Sequence, residues 1–268
     1  MVRAITAGGR PVTVRESGAG APVLFVHAFP LSAEMWDPQL ASPPPGWRFL
    51  APDLRGFGRS SHQGGATGVE THAADLVALL DALAIDRAVV VGLSMGGYVA
   101  LALMRAAPER VRALVLCDTR ADADTDDIRA NRQRLRDQLR QGGPAAVADA
   151  MVPRLLGQTT MHERPEVAAR VRGWIETNAA QGIDEAIVAL MTRPDSTPGL
   201  AQFGVPTLLV VGEEDAITPA VLHERMRERI PDAQLAVIPR AGHLSNLEAP
   251  DAFNAALGRF LQALGGES

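Results

Sequence analysis

From residue 22 onward the chain alternates short, continuously apolar runs with stretches of helical periodicity, and this alternation constrains the fold more than any other feature. Residues 22–27, 48–52, 88–91, 111–117, 205–211 and 234–238 read as strands. Runs such as PVLFVH carry no polar face, as expected of strands covered on both sides. Helical patterns occupy 71–84, where Leu76, Leu79, Leu80 and Leu83 share a face, and also 95–106, 219–230 and 250–264. Thr218 is the expected N-cap of the third of these, with Pro219 at its first helical position. Two β-type runs, 3–6 and 11–16, flank Gly8-Gly9 and predict an opening hairpin. The whole predicts an eight-stranded, mainly parallel α/β sheet with the hairpin at one edge. Between 119 and 204 only helical patterns occur: Ile128, Leu135 and Leu139, then Val147, Met151 and Leu155, then 183–191. The expected organisation is a core of residues 1–118 and 205–268 with a helical cap, 119–204, inserted between strands 6 and 7. Such a cap is well placed over the C-terminal sheet edge, where open α/β folds bind ligands.

Composition removes several chemistries. All 26 basic residues of the 268 are arginine, so Schiff-base lysines, the lysine of a phosphate-binding loop and pyridoxal attachment are excluded. A net charge of −5 and eleven scattered aromatics argue against nucleic acid as a partner. The single Cys117 allows no internal disulfide and no multi-cysteine metal site, and no histidine pair has zinc-binding spacing. No metal and no cofactor are expected. Residues 1–20 carry Arg3, Arg10 and Arg15 and lack the apolar run of a secretory signal. The uncharged stretch 88–104 contains Gly92, Ser94, Gly96 and Gly97 and is too short for a membrane span. A cytoplasmic protein with no membrane partner is expected.

The chemistry concentrates at Gly92-Leu93-Ser94-Met95-Gly96, a G-x-S-x-G motif between a buried strand and a helix. A nucleophile on so tight a turn needs glycine two residues to either side, because a Cβ there would meet the turning backbone. As a dinucleotide fingerprint the segment fails, since Ser94 stands where the second glycine must admit a pyrophosphate.

With these residues the chain resembles the α/β-hydrolases, whose triad members follow in the order Ser, acid, His. Asp215, in PTLLVVGEEDAITP, lies 121 residues after Ser94, just past a strand. His243, in PRAGHLSNLEAP, lies 28 residues further, between the last strand and the last helix. The resemblance implies Ser94 as nucleophile, His243 as base and Asp215 as the acid that orients it. Glu213 and Glu214 compete as loop carboxylates, and Asp118 because some relatives take their acid from that place. His27-Ala28-Phe29-Pro30 resembles the family's HG-x-P oxyanion segment, with Ala28 where glycine is usual. It implies an oxyanion hole of the Phe29 and Met95 backbone N–H groups, with His27 as its organiser. Asp53-Leu54-Arg55-Gly56-Phe57-Gly58-Arg59-Ser60 resembles the family's D-x-R-G-x-G-x-S loop, a structural segment with Arg55 and Asp53 paired or hydrogen-bonded. His62, His72, His162 and His223 sit in polar contexts and are expected to be solvated.

A serine at the elbow favours acyl chemistry. GLSMGG followed by RVRALVLCDT is most similar to 3-oxoadipate enol-lactonases and small-ester carboxylesterases, and cofactor-free perhydrolases or haloperoxidases share much of the pattern. The expected substrate is a small-molecule ester or lactone, with Phe29, Met95, Met151 and Trp174 lining its pocket. An anionic lactone would call for arginine. The cap offers Arg129, Arg132, Arg134, Arg136 and Arg140, but over 119–204 eleven arginines face twelve acids. The alternative from another class is a ligand receptor on the same scaffold with an idle triad.

Overall fold

The structure is a computed structural model that describes residues 1–60 and 68–265. Strands β1 (Val2–Ala7) and β2 (Arg10–Gly18) form the predicted hairpin. Next come β3 (Ala21–Val26), a short helix α1 (Asp37–Leu40), β4 (Trp47–Pro52), α2 (Val69–Ala82), β5 (Ala88–Leu93), α3 (Met95–Ala106) and β6 (Val111–Cys117). Between β6 and the next strand the chain forms only helices: α4 (Asp126–Leu155), α5 (Gln158–Glu163), α6 (Pro165–Thr177), α7 (Ala180–Thr192) and one 3-10 turn. It then returns through β7 (Thr207–Gly212), α8 (Ala220–Arg227), β8 (Gln234–Ile238), α9 (Ser245–Glu248) and α10 (Pro250–Leu264).

The eight strands form one sheet in the order β1-β2-β4-β3-β5-β6-β7-β8. The hairpin and β4 pair antiparallel, and every other pairing is parallel. Every residue of β5 and of β7 is buried, so helices cover both faces there, as the apolar runs require. Phe25 on β3 anchors the core, with ring centroids 5.0 Å from Trp36 and 4.9 Å from Phe49. The order reverses at β3, which pairs with β4 on one side and β5 on the other. That reversal opens the crevice in which α/β sheets place their ligands.

Helix α4 breaks at Gly143 (φ 68°), immediately before Pro144, into two arms. The helical segment is tied to the core at several points. Asn178 donates to the Pro30 carbonyl and accepts from the Gly58 N–H. A Cβ on Gly182 would collide with the Gly56 carbonyl, so the two backbones touch there. Arg193 is ion-paired with buried Asp124 and lies 4.1 Å over the Tyr98 ring. No helix of the described residues is long and apolar enough to cross a membrane.

Candidate active site

Parallel pairing aligns the C-terminal ends of β3, β5, β6, β7 and β8, and each of these ends carries a polar residue of the site. Ser94 follows β5 directly with φ 53° and ψ −112°, a conformation that costs a non-glycine residue of order 1–3 kcal/mol. Its neighbours hold it there. The Ser94 N–H donates to the Cys117 carbonyl at 2.9 Å, and the Ser94 carbonyl accepts from the Gly97 N–H and the Thr119 hydroxyl, each at 2.9 Å. A Cβ on Gly92 would strike the Gly96 carbonyl, and one on Gly96 the Val26 carbonyl of β3. The glycine requirement thus comes partly from the turn and partly from the adjacent strand.

His243, in the loop after β8, is buried, with Nε2 2.8 Å from Ser94 Oγ and Nδ1 2.8 Å from Asp215 Oδ2. A carboxylate oxygen can only accept, so Nδ1 carries the proton and Nε2 faces the serine hydroxyl as acceptor. Asp215 is fixed in turn. Its Oδ1 accepts from the Ile217 and Thr218 N–H groups at 2.8 and 2.9 Å, and its Oδ2 accepts the Thr218 hydroxyl at 2.6 Å. Burial alone would raise the Asp215 pKa, but the charge of His243, its hydrogen bond and those from Thr218 outweigh burial and hold the carboxyl well below the usual range. The expected N-cap role of Thr218 gives way to this bond. Helix α8 begins two residues later, at Ala220, with Pro219 as its cap, because the hydroxyl is used by the buried carboxylate.

The competing carboxylates have other partners. Asp118, at the end of β6, accepts from the Gly212 N–H at 2.8 Å and the Ser245 hydroxyl at 2.5 Å. Burial and the nearby charge of Asp215 push its pKa well up despite those bonds. Glu213 accepts from the Arg240 N–H, and Glu214 from the Thr159 N–H and hydroxyl.

His27, directly after β3, is fully buried, accepting the Leu54 N–H at Nε2 and donating from Nδ1 to the Ala28 carbonyl, each at 3.0 Å. That bonding defines a neutral ring, and burial lowers its pKa accordingly. Among the described residues neither the Phe29 nor the Met95 N–H donates to another group of the protein. Met95 opens α3, where the first N–H groups have no helical acceptor.

Three expectations need correction. His72 on α2 and His223 on α8 are buried, not solvated: each sits on the helix face turned to the core, and burial lowers their pKa values to about 3 and about 4. His162 is exposed, and His62 lies outside the described residues. Asp53 and Arg55 do not pair with each other. Asp53 accepts the Ala33 and Arg59 N–H groups, while Arg55 makes a two-pronged contact with Asp75 on α2. Sequence reasoning also missed Thr119 and the site role of Thr218; a threonine three residues after the acid was the available signal for the second.

Of the four residues expected to line a pocket, Phe29 and Met95 are buried, the latter directly after Ser94. Met151 lines a cavity of about 290 Å³ that also reaches Tyr98 and Ile217. Trp174 is half-buried, its ring 5.3 Å from the Arg170 guanidinium.

The arrangement presents a hydroxyl, a proton acceptor and an orienting carboxylate in one hydrogen-bonded row, with the unused Met95 backbone N–H on the residue directly after the hydroxyl. The alpha/beta hydrolase fold family matches residues 21–250. A thermophilic esterase from Thermogutta terrifontis, solved with malate bound, superposes with a TM-score of 0.93 at 38% identity, covering 98% of this chain and 99% of its own. The enol-lactonase of Burkholderia xenovorans superposes with a TM-score of 0.89 at 27% identity over 97% of this chain and 100% of its own. The 3-oxoadipate enol-lactonase 2 of Acinetobacter baylyi is 28% identical over 235 residues, 88% of this chain and 86% of its own. The chain belongs to the α/β-hydrolase fold family.

Proposed function

We propose that this hydrolase cleaves carboxylic esters through an acyl-enzyme formed on Ser94. The observation that carries the reading is the unbroken row Asp215–His243–Ser94, 2.8 Å at each link, ending on a serine held at a strained elbow. A serine hydroxyl is a weak nucleophile until a base takes its proton. His243 Nε2 removes it as Ser94 Oγ attacks the acyl carbon, and the resulting imidazolium protonates the departing alcohol. Asp215 keeps the ring in the productive tautomer and stabilises its charge. The Phe29 and Met95 N–H groups receive the oxyanion, each worth about 2.7–4 kcal/mol at the transition state. Water then repeats the cycle on the acyl-enzyme. Residues 119–204 act as a cap on a core of 1–118 and 205–268, with Phe29, Met95, Met151 and Trp174 facing the acyl group. Its single thiol, buried as a free cysteine, suits a cytoplasmic enzyme. The enol-lactonase relatives favour a second substrate form, in which the ester bond is that of a lactone and the leaving alcohol stays attached.

A fluorophosphonate probe should label wild-type protein on Ser94 and fail on Ser94→Ala. Asp215→Asn should lower kcat by about 10⁴-fold, whereas Asp118→Asn, which leaves the row intact, should lower it far less. No labelling, together with no turnover across a panel of nitrophenyl esters and lactones, would mark the protein as a receptor and not an enzyme.

A further inference from the structure

Asn178, the residue that closes α6, is buried, and every polar atom of its side chain is used. Its Nδ2 donates to the Pro30 carbonyl at 2.9 Å and to the Trp174 carbonyl at 3.1 Å, and its Oδ1 accepts the Gly58 N–H at 2.8 Å. Exchanging the oxygen and nitrogen would set an acceptor against two carbonyls, so the partners themselves fix which end faces Pro30. The Trp174 bond only finishes the helix. The other two cross to core loops 148 and 120 residues away in sequence, and the Pro30 bond ends beside the segment that carries the Phe29 N–H.

That bond continues beyond Pro30. The Pro30 carbonyl shares a peptide group with the Leu31 N–H, which donates to the Ala28 carbonyl at 2.9 Å. The Ala28 carbonyl shares the next peptide group with the Phe29 N–H. In a planar trans peptide the carbonyl and the N–H point in opposite directions, so a donor held on the carbonyl also aims the N–H. Three amide groups therefore stand head to tail, from the Asn178 side chain to the Phe29 N–H, and among the described residues that last donor has no acceptor in the protein. His27 Nδ1 adds a second donor to the Ala28 carbonyl, at 3.0 Å, but grips only the last amide group, whereas Asn178 holds the row from its far end. Hydrogen bonds in such a chain polarise one another, by about 10–30% per bond, and strengthen the donor at its end.

We propose that Asn178 is a positioning residue for the oxyanion hole: from the helical segment it starts an amide relay that aims and strengthens the Phe29 N–H. The proposal rests on the esterase reading above, with Phe29 as an oxyanion donor. Two variants separate a relay from a plain tether. Asn178→Ala loses both bonds to the core, whereas Asn178→Asp, once ionised, keeps an acceptor for the Gly58 N–H and has no hydrogen to give Pro30. Losing an oxyanion donor outright costs about 10²–10³-fold in kcat. In both variants kcat, counted per Ser94 titrated with a fluorophosphonate, should fall at least tenfold while KM stays within about threefold of wild type. The second readout is a trifluoromethyl ketone, whose carbonyl oxygen becomes an oxyanion when Ser94 Oγ adds to its carbon and His243 takes the proton. Its Ki should rise by a similar factor. Wild-type kcat in Asn178→Asp would reduce Asn178 to a tether through Gly58 and overturn the proposal, as would a lower kcat with an unchanged Ki. Should Asn178→Ala not fold, Asn178→Asp decides alone. If wild-type protein neither takes the label nor turns over an ester, the esterase reading fails by itself. The relay is then judged by hydrogen exchange: the Leu31 amide should exchange at least tenfold faster in either variant, and equal rates would refute it.

Discussion

His72 stands on the core face of α2 with neither ring nitrogen hydrogen-bonded among the described residues, and burial, aided by His27 and Arg55 nearby, lowers its pKa to about 3. The folded chain therefore keeps this ring neutral at pH values where the unfolded chain, with an ordinary histidine near ~6.5, takes up a proton. The unfolded state gains that proton, so the contribution to stability is intact above ~6.5 and is lost as the pH falls toward 3, at ~1.4 kcal/mol per unit. Replacing the ring by His72→Leu should shrink the difference in unfolding free energy between pH 7 and pH 5 by about 2 kcal/mol, measured by urea titration. An unchanged difference would show that some other group sets the acid slope. His72 also marks where residue-level reading stops. The elbow at Ser94 was legible from its flanking glycines, a local signal, whereas Asp215 and His243 were expected only through the resemblance to a family with that chain order. Whether a histidine or an Asp53–Arg55 pair faces the core depends on packing partners such as Asp75, which no local pattern names.

Among the elements, strands and long helices were legible because each is a run of one periodicity, and α3, β6, β8 and α10 begin and end where the pattern does. The four-residue helices α1 and α9 were not, since one turn is too short to show a period. Yet α9 supports the site. Its buried Glu248 accepts the N–H of Leu244, next to His243, at 3.1 Å and the N–H of Gly157, ahead of α5, at 2.8 Å. Glu214 holds Thr159 in the same turn. The two carboxylates thus join the helical segment to the loops bearing His243 and Asp215. Glu248→Ala leaves two buried donors without an acceptor, each costing ~1–3 kcal/mol. The expected loss is about 2–6 kcal/mol in denaturant unfolding, with Glu248→Gln in between. Full stability in the alanine variant would mean that water replaces the carboxylate at both donors.

At the scale of the whole molecule, burial of the only thiol acquires a meaning from the absence of lysine. Arginine keeps its charge throughout the alkaline range, so no basic side chain loses a proton between pH 8 and 9.5. Cys117 is fully buried on β6, and burial together with the charge of Asp118 pushes its pKa well up. In the unfolded chain an ordinary thiol ionises near ~8.5. There the unfolded state sheds the proton that the folded state keeps, so stability falls as the pH rises. The loss should amount to about 1 kcal/mol from pH 8 to 9.5, and Cys117→Ala should abolish most of that slope whatever its effect on stability at neutral pH. One buried sulfur atom thus lends the folded chain a pH dependence in a range where none of its 26 arginine charges changes.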